Sequence, residues 1–499
     1  RIPQTKRSLL VNYTGHGGEL GWTQERILEV DQINQWSNIN RLPLFMTATC
    51  KFSRFDDPEK TSAGEQLLLN PAGGAIALLS TTRLVYSSPN YNLNTKFINA
   101  LFDEGNTITY RLGDIFKQTK RESGTSVNNR NFTLLGDPAL RLGIPYYDIH
   151  TTNIKDTIRA LEEVFIEGVI TDAAGNIITD FNGTVFPSVF DKEITATTLG
   201  QESSTPMPYK SQENIIYKGA ATVSNGLFSF SFIMPKDISY DYANGRISYY
   251  ALSDDELFDA TGYNEEFIIG GVSLAEEYDN EDPEIQLYMN NTNFVSGGIT
   301  DKNPSLLAFV SDFSGINTVG NGIGHDITAI LDGETSNPII LNDYYLSETD
   351  NYQNGTIVFP FEDLELGEHT LTVKIWDVFN NSAESTISFK VVDDNDIVIS
   401  NFLNSPNPFH YSTDFYFEIN KPDEVLDVSL NIYSISGVLI STLNTNMLNT
   451  GYRLGPFRWD GKNRFGERIE SGIYIANLNI HLKNGDFISK SNRVIILPE

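Results

Sequence analysis

The first 147 residues alternate between apolar runs and segments whose apolar residues recur three and four positions apart. The runs are Ser8–Tyr13, Leu42–Cys50, Gly73–Arg83 and Phe132–Pro138. The segments between them are Gln24–Trp36, Ala63–Asn70, Tyr91–Phe102 and Thr107–Glu122. Apolar strands that lack alternation and are separated by helices are typical of a largely parallel sheet covered on both faces. Residues 1–147 are therefore predicted to form an α/β domain.

The pattern changes at about Asp148, where short segments of alternating polar and apolar residues take over, separated by turn residues. This period of two predicts strands with one buried face. The acidic stretch Glu276–Glu284 is predicted to be a linker. We expect three all-β domains of Ig-like or β-sandwich type, at residues 148–276, 277–393 and 394–499. The fold class is thus multidomain, α/β followed by all-β.

The excess of acidic residues argues against nucleic acid as a partner. The chain has 65 acidic and 35 basic residues, a net charge of −30. Binding to nucleic acid depends on clustered Lys and Arg, so nucleic acid is not expected as a partner. No apolar run approaches the roughly 20 residues of a membrane-spanning helix, and no transmembrane segment is predicted. The chain begins at Arg1 without a signal-peptide pattern, which suggests a processed product or a fragment of a longer protein.

Two candidate reactive side chains follow the first two apolar runs. His16 lies among glycines in the stretch LLVNYTGHGGELGW, and Cys50, the one cysteine of the chain, ends the run LPLFMTATC. The carboxyl ends of neighbouring parallel strands meet at one edge of a sheet, where α/β proteins bind their ligands. A right-handed crossover would set these two strands side by side, so both side chains are expected at the same edge.

The residue types suit nucleophilic catalysis. A thiol with an ordinary pKa near ~8.5 is only slightly ionised at neutral pH, and an imidazole beside it can accept its proton. The flanking glycines allow a sharp turn, and the amides of Gly17 and Cys50 could together form an oxyanion hole. The alternative is that Cys50 is a small, inert apolar residue at the end of a buried strand.

These motifs also resemble a known family. The resemblance is carried by NYTGHGG, by LPLFMTATCKFSRFDDPEKTSAGEQLLLNPAGGAIALLSTTR and by FTLLGDPALRL. They are similar to the catalytic domain of the gingipain-type cysteine peptidases, which have a caspase-like fold, and within that family to the sortases of the type IX secretion system. The resemblance implies that Cys50 is the nucleophile, that His16 is the general base and acid, and that Gly17 and Cys50 are the oxyanion donors.

The same resemblance implies that residues 1–147 are only the C-terminal part of a caspase-like domain. The acidic residue that orients the family's histidine would then lie upstream of this chain. Glu19 is a nearby substitute, or it is a solvated loop carboxylate. The family builds its substrate pocket at the position of STTRLVYSS, so Thr81, Thr82 and Arg83 are candidate substrate-binding residues. Arg83 either binds a carboxylate of the substrate or is a solvated residue at the end of a strand.

A second resemblance concerns the last domain. The motifs NSPNPF, YSISGVLI and SGIYIANLNI look like the FlgD-like, type IX C-terminal sorting domain, a small β-sandwich. Together the two resemblances imply a cell-surface protein on the extracellular side of the outer membrane in Bacteroidetes. The implied partners are the C-terminal signal domains of exported cargo and the outer-membrane barrel PorV, with surface lipopolysaccharide as an acceptor.

The acidic linker is a candidate metal site. Asp279, Glu281 and Asp282 could bind a structural calcium ion between two sandwiches, or they form a solvated acidic hinge. No cofactor is required for the expected chemistry.

Three functional hypotheses remain open at this point. The first is a cysteine endopeptidase that acts as a sortase, removing the signal domain of cargo and transferring the cargo to a glycolipid or to water. The second is a secreted gingipain-like protease that is itself exported as cargo. The third is a catalytically inactive adhesion or scaffold protein.

Overall fold

The structure is a computed structural model that describes residues 8–23, 26–102, 111–200, 204–273, 279–319, 324–393, 397–422, 424–449 and 451–498. The chain divides into two compact units, Arg1–Pro145 and Tyr146–Glu499. The predicted fold class is confirmed, since the first unit is α/β and the second consists of β-strands.

The first unit has a four-stranded sheet in the order β1-β5-β6-β7. The strands of this unit are β1 Leu10–Thr14, β2 Gly17–Gly18, β3 Gly21–Trp22, β4 Leu28–Glu29, β5 Leu44–Ala48, β6 Ala77–Thr81 and β7 Phe132–Leu135. Strands β2, β3 and β4 lie outside the four-stranded sheet. Its helices are α1 Val30–Asn34, α2 Ala63–Leu69, α3 Ser87–Leu101, α4 Leu112–Glu122 and α5 Val127–Asn131. Strands β1, β5 and β6 are parallel, and β7 is antiparallel to β6.

Both faces of this sheet are covered, as its apolar strands predict. Every residue of β5 and of β6 is buried. Leu44 and Met46 pack in a core with residues of α3 and α4. Phe45, which points to the other face, packs in a second core with residues of α1 and α2. The alternation of side chains along one strand thus supplies two separate cores.

The predicted helix Gln24–Trp36 is largely wrong. Only α1, Val30–Asn34, is helical, and Leu28–Glu29 is a short strand in a three-stranded sheet of order β2-β3-β4. Leu28 is buried and pairs with Trp22, so its apolar side chain serves this small sheet and not a helix face. Residues 24 and 25 lie outside the described residues.

The first all-β domain closes its main sheet into a ring. Its strands are β8 Tyr147–Asn153, β9 Thr157–Ala160, β10 Glu163–Thr171, β11 Gly183–Phe190, β12 Ile194–Thr197, β13 Pro208–Ser211, β14 Ile215–Lys218, β15 Ala221–Ser224, β16 Leu227–Ile233, β17 Ala243–Asn244, β18 Arg246–Ser253, β19 Asp259–Asn264 and β20 Ile268–Val272. The order is β14-β11-β15-β16-β10-β8-β19-β18, and β18 also pairs with β11 along its full length. Seven of these eight strands therefore form a closed ring around an aromatic-rich core, in the order β11-β15-β16-β10-β8-β19-β18, and β14 pairs with β11 alone.

The second all-β domain is a sandwich of two sheets, ordered β21-β23-β27-β26 and β22-β29-β28-β24-β25. Its strands are β21 Glu284–Met289, β22 Gly298–Thr300, β23 Ser305–Ser311, β24 Thr328–Leu331, β25 Ile339–Ile340, β26 Tyr345–Glu348, β27 Asn351–Pro360, β28 Gly367–Trp376 and β29 Ser382–Val391. A 3-10 turn spans Asn342–Tyr344. Inward residues of both sheets form a single core.

The terminal domain is also a sandwich, with sheets ordered β30-β31-β34 and β33-β32-β35-β36. Its strands are β30 Ile399–Ser405, β31 Thr413–Ile419, β32 Val425–Ser434, β33 Leu439–Leu448, β34 Arg453–Trp459, β35 Gly472–Leu482 and β36 Phe487–Ile496. Within the described part of the chain, no helix is both long and apolar enough to cross a membrane.

Candidate active site

The register of β1 and β5 places His16 and Cys50 at equivalent positions. The two strands run parallel, with Thr14 opposite Ala48. His16 lies two residues beyond Thr14, and Cys50 lies two residues beyond Ala48. Neighbouring strands are about 4.8 Å apart, so both side chains leave the sheet at one edge, from adjacent strand ends. The register therefore brings His16 and Cys50 to the same edge of the sheet.

A small hairpin holds the backbone of His16. Directly after this residue, Gly17–Gly18 pairs with Gly21–Trp22. The His16 carbonyl accepts hydrogen bonds from the Tyr13 hydroxyl at 2.6 Å and from the Thr23 amide at 3.0 Å. The rings of Tyr13 and Trp22 stack with their centroids 4.2 Å apart. The backbone is therefore fixed on both sides of an imidazole that is itself exposed.

Gly17 lies directly against the residue that precedes the cysteine. A Cβ atom on Gly17 would be 2.6 Å from the Thr49 Oγ1 atom and 3.0 Å from the Gly21 carbonyl oxygen. A methyl group there requires the Thr49 side chain or the adjoining backbone to shift. By contrast, a Cβ atom on Gly18 would meet nothing within 4 Å. The close approach at Gly17 brings the backbone of the histidine loop to the end of the cysteine strand.

Cys50 is half-buried and forms no disulfide. Its Sγ atom is 3.6 Å from the Val85 carbonyl oxygen, a weak hydrogen bond at most. The next residue, Lys51, has a φ of 54°, and its amide donates to the Arg83 carbonyl at 3.2 Å. Left-handed backbone is uncommon for a residue with a side chain, and here it turns the chain sharply after the cysteine.

Buried amide side chains support the end of the cysteine strand, and the sequence analysis did not identify them. Asn90 of α3 donates to the Ala48 carbonyl at 3.2 Å. Asn128 donates to the Asn90 side chain at 2.8 Å and to the Tyr86 carbonyl at 2.7 Å. These bonds satisfy polar groups that would otherwise be costly to bury, and they tie two helices to the site. Two asparagines four residues apart on one helix, Asn90 and Asn94, were the available signal.

Glu19 is engaged by cations. Its carboxylate is 2.9 Å from the Arg54 guanidinium and 3.9 Å from the Lys51 ammonium. With 15% of its side chain exposed, it is not a solvated loop carboxylate. These two ion pairs tie the histidine loop to the segment after the cysteine.

The three candidate substrate-binding residues have different environments. Thr81 is fully buried, and its hydroxyl donates to the Thr49 carbonyl. The Thr82 hydroxyl donates to the Asn131 carbonyl at 3.2 Å. Arg83 is about half-exposed and forms a two-point ion pair with Asp56, with bonds of 2.9 and 2.5 Å.

The Arg83–Asp56 hydrogen bonds raise the pKa of the Arg83 guanidinium and lower the pKa of the Asp56 carboxyl. A substrate carboxylate at Arg83 would have to compete with Asp56 for this guanidinium.

The candidate metal ligands do not lie together as a set. Glu281 and Asp282 are exposed. The described structure instead groups Asp279 with Asp312 and Asp377. Of the three predicted ligands, only Asp279 belongs to this carboxylate cluster. The other two members, Asp312 and Asp377, directly follow β23 and β28.

Residues 6–143 match the family model of peptidase family C25. The resemblance to the gingipain-type cysteine peptidases is thereby confirmed. No curated protein sequence matches the chain.

Two solved structures from Porphyromonas gingivalis are similar to it. Dimeric latent PorU is 30% identical over 86% of this chain and 41% of that chain, with a TM-score of 0.33. The complex of RgpB pro- and mature domains is 16% identical over 51% of this chain and 54% of that one, with a TM-score of 0.26. The chain thus spans about two fifths of the length of the PorU chain and about half that of the RgpB chain.

Proposed function

Because residues 6–143 carry a cysteine peptidase region of family C25, we propose that the chain is part of a cell-surface cysteine endopeptidase that acts as a sortase. The observation that carries this proposal is the equal offset of His16 and Cys50 beyond the paired residues of adjacent parallel strands. The exposed imidazole and the half-buried thiol meet the access that a peptide substrate needs.

In the first step His16 accepts the Cys50 proton, and the thiolate attacks the peptide carbonyl. The amides of Gly17 and Cys50 donate to the oxygen that becomes negative, an interaction worth about 3 kcal/mol for each donor. The C–N bond then breaks, His16 returns the proton to the departing amine, and the acyl group remains on sulfur as a thioester.

In the second step an amine or water attacks the thioester, His16 accepts the proton of the attacking group, and the C–S bond breaks to release the thiolate. Attack by an amine of a surface glycolipid such as lipopolysaccharide makes the reaction a transpeptidation, and attack by water makes it a hydrolysis. The substrates in this proposal are the C-terminal signal domains of exported cargo. PorV is the proposed outer-membrane partner, and the terminal β-sandwich is the proposed docking element.

The test is replacement of Cys50 by Ala in the full-length protein in its own bacterium, with one exported cargo followed by intact mass. We expect the signal domain to remain on the cargo, because Cys50 is the one cysteine of this sequence and alanine cannot act as a nucleophile. His16→Ala should give the same result, and Asn92→Ala, an exposed change in the same unit, should not. Normal processing and attachment of cargo with Cys50→Ala would contradict the sortase proposal.

Two measurements separate the other hypotheses. A protease that is itself cargo would lose its terminal β-sandwich on maturation, whereas the sortase proposal expects the mature chain to retain it. An inactive scaffold would leave Cys50 unlabelled by thiol-reactive peptide analogues.

A further inference from the structure

Three aspartates come together at one end of the second all-β domain. Asp279 belongs to the linker before β21, Asp312 follows β23, and Asp377 follows β28. Each offers a carboxylate oxygen, and these oxygens all lie within 4.8 Å of one another. Asp377 is completely buried, and Asp312 is 9% exposed.

Hydrogen bonds satisfy much of this cluster but leave one oxygen without a partner. Asp312 Oδ1 accepts from the amide and hydroxyl of Ser314, and Asp377 accepts from the amide and side chain of Asn381. Asp279 Oδ1 accepts from the Glu281 amide. Asp279 Oδ2 is completely buried, yet it has no hydrogen-bond partner among the described residues. A buried oxygen of this kind costs about 1–3 kcal/mol unless something binds it.

The charge of the cluster is not balanced by the described protein. None of the ion pairs formed by described residues includes Asp279, Asp312 or Asp377. Burying like charges together without a counter-ion is strongly unfavourable, so the arrangement points to a bound cation.

We propose that Asp279, Asp312 and Asp377 bind one calcium ion. Calcium prefers carboxylate and carbonyl oxygens at about 2.3–2.6 Å, so two oxygens on opposite sides of one ion lie up to roughly 4.8 Å apart. The observed spacing fits that span. Magnesium usually keeps several waters and is held by one or two carboxylates, whereas three carboxylates converge here. The cluster contains no imidazole or thiolate, the ligands that zinc usually takes.

The ion would fasten the junction between the first two all-β domains. The Asn381 side chain donates to the Asp279 carbonyl at 3.2 Å as well as to the Asp377 carboxylate at 2.6 Å, so the linker and the turn after β28 share one amide. That same turn contacts the preceding domain, because the Val378 carbonyl accepts from the Lys236 amide at 2.9 Å. Calcium would therefore hold the linker against the turn after β28, which is hydrogen-bonded to the first all-β domain.

A matched pair of variants tests this site. Asp279→Asn and Asp282→Asn each remove one negative charge from the same linker, but only Asp279 belongs to the cluster. We would titrate calcium chloride into the chelator-treated full chain by calorimetry. The wild type and Asp282→Asn should show one site of matching affinity, and Asp279→Asn should weaken that site at least tenfold. Equal binding by the two variants, or no binding to the wild type, would overturn the proposal.

Thermal unfolding gives a second readout with Asp312→Asn, which keeps the oxygen that accepts from Ser314. Calcium should raise the unfolding temperature of the wild type and not that of this variant. Without calcium, the variant should be at least as stable as the wild type, since one repulsive charge is gone. An equal calcium-induced rise in both proteins would overturn the site, and an equal response of the wild type to magnesium would overturn its assignment to calcium.

Discussion

The strand edge with His16 and Cys50 and the carboxylate cluster of Asp279, Asp312 and Asp377 place polar groups in opposite ways. At the strand edge His16 is exposed and Cys50 is half-buried, and the asparagines that support the end of the cysteine strand are buried. In the cluster the charged groups themselves are buried or partly buried, and the chain surrounds them. The first arrangement suits a reaction with a large substrate, and the second suits the retention of a small ion.

The largest expected effect tests the close approach at the strand edge. Gly17→Ala places a Cβ atom 2.6 Å from the Thr49 hydroxyl and 3.0 Å from the Gly21 carbonyl oxygen, so the Thr49 side chain or the histidine loop must shift at the end of the cysteine strand. Displacing one oxyanion donor lowers the rate by about 100–1,000-fold. Peptidase or sorting activity should fall by that order. Gly18→Ala is the control, because its Cβ atom has open space, and similar loss in both variants would contradict the role given to Gly17.

A smaller effect is expected for the buried support of the same edge. Asn90→Ala removes the donor to the Ala48 carbonyl and the acceptor for Asn128. The Ala48 carbonyl keeps the Gly15 amide as a donor at 3.4 Å. The loss of one hydrogen bond costs about 0.5–1.5 kcal/mol, so amides of residues 44–50 should exchange hydrogen roughly 2–13-fold faster in the intact chain. Asn92→Ala on the exposed face of the helix should leave exchange unchanged. If both variants exchange alike, Asn90 does not support the strand.

The smallest effect concerns a buried histidine, His369, and its partly exposed partner Asp332 in the second all-β domain. Burial alone would lower the pKa of His369, but its hydrogen bonds to the Glu365 carbonyl and the Asp332 carboxylate outweigh burial and raise that pKa above 6.5. The folded domain then binds the proton more tightly than the unfolded chain does. This stabilisation is complete below about pH 6.5 and is lost as the pH rises through the folded pKa.

Asp332→Asn should reduce this pH dependence by about 1 kcal/mol or less, measured as hydrogen exchange of Gly367–Trp376 between pH 5 and 8. Glu368→Gln is the control, because its 3.7 Å ion pair with Lys390 is exposed. An unchanged pH profile in Asp332→Asn would show that the pair does not stabilise the domain.

The strand edge could be predicted from sequence, because its signals are local. Apolar runs that end at His16 and Cys50, with glycines that suit a sharp turn, need only the rule that parallel strands share an edge. The spacing of Asn90 and Asn94 marks a polar side of their helix, but the contacts of Asn90 with the Ala48 carbonyl and Asn128 could not be predicted, since an amide on a helix gives no sign of the group it meets. The carboxylate cluster could not be predicted either, because Asp312 and Asp377 become neighbours only through the register of separate strands.

The closed ring of the first all-β domain has a consequence for assembly. Each of its seven strands is hydrogen-bonded on both sides, because β18 pairs with β11 from Gly183 to Phe190. A sheet with open edges can accept an extended segment from another polypeptide, which is both a route to recognition and a route to aggregation. Among the described strands of this sheet, edge positions remain at β14, which pairs with β11 alone, and in the part of β8 beyond its two residue pairs with β19. A partner that binds by adding a strand is therefore expected to use an edge such as β33 or β36 of the terminal domain.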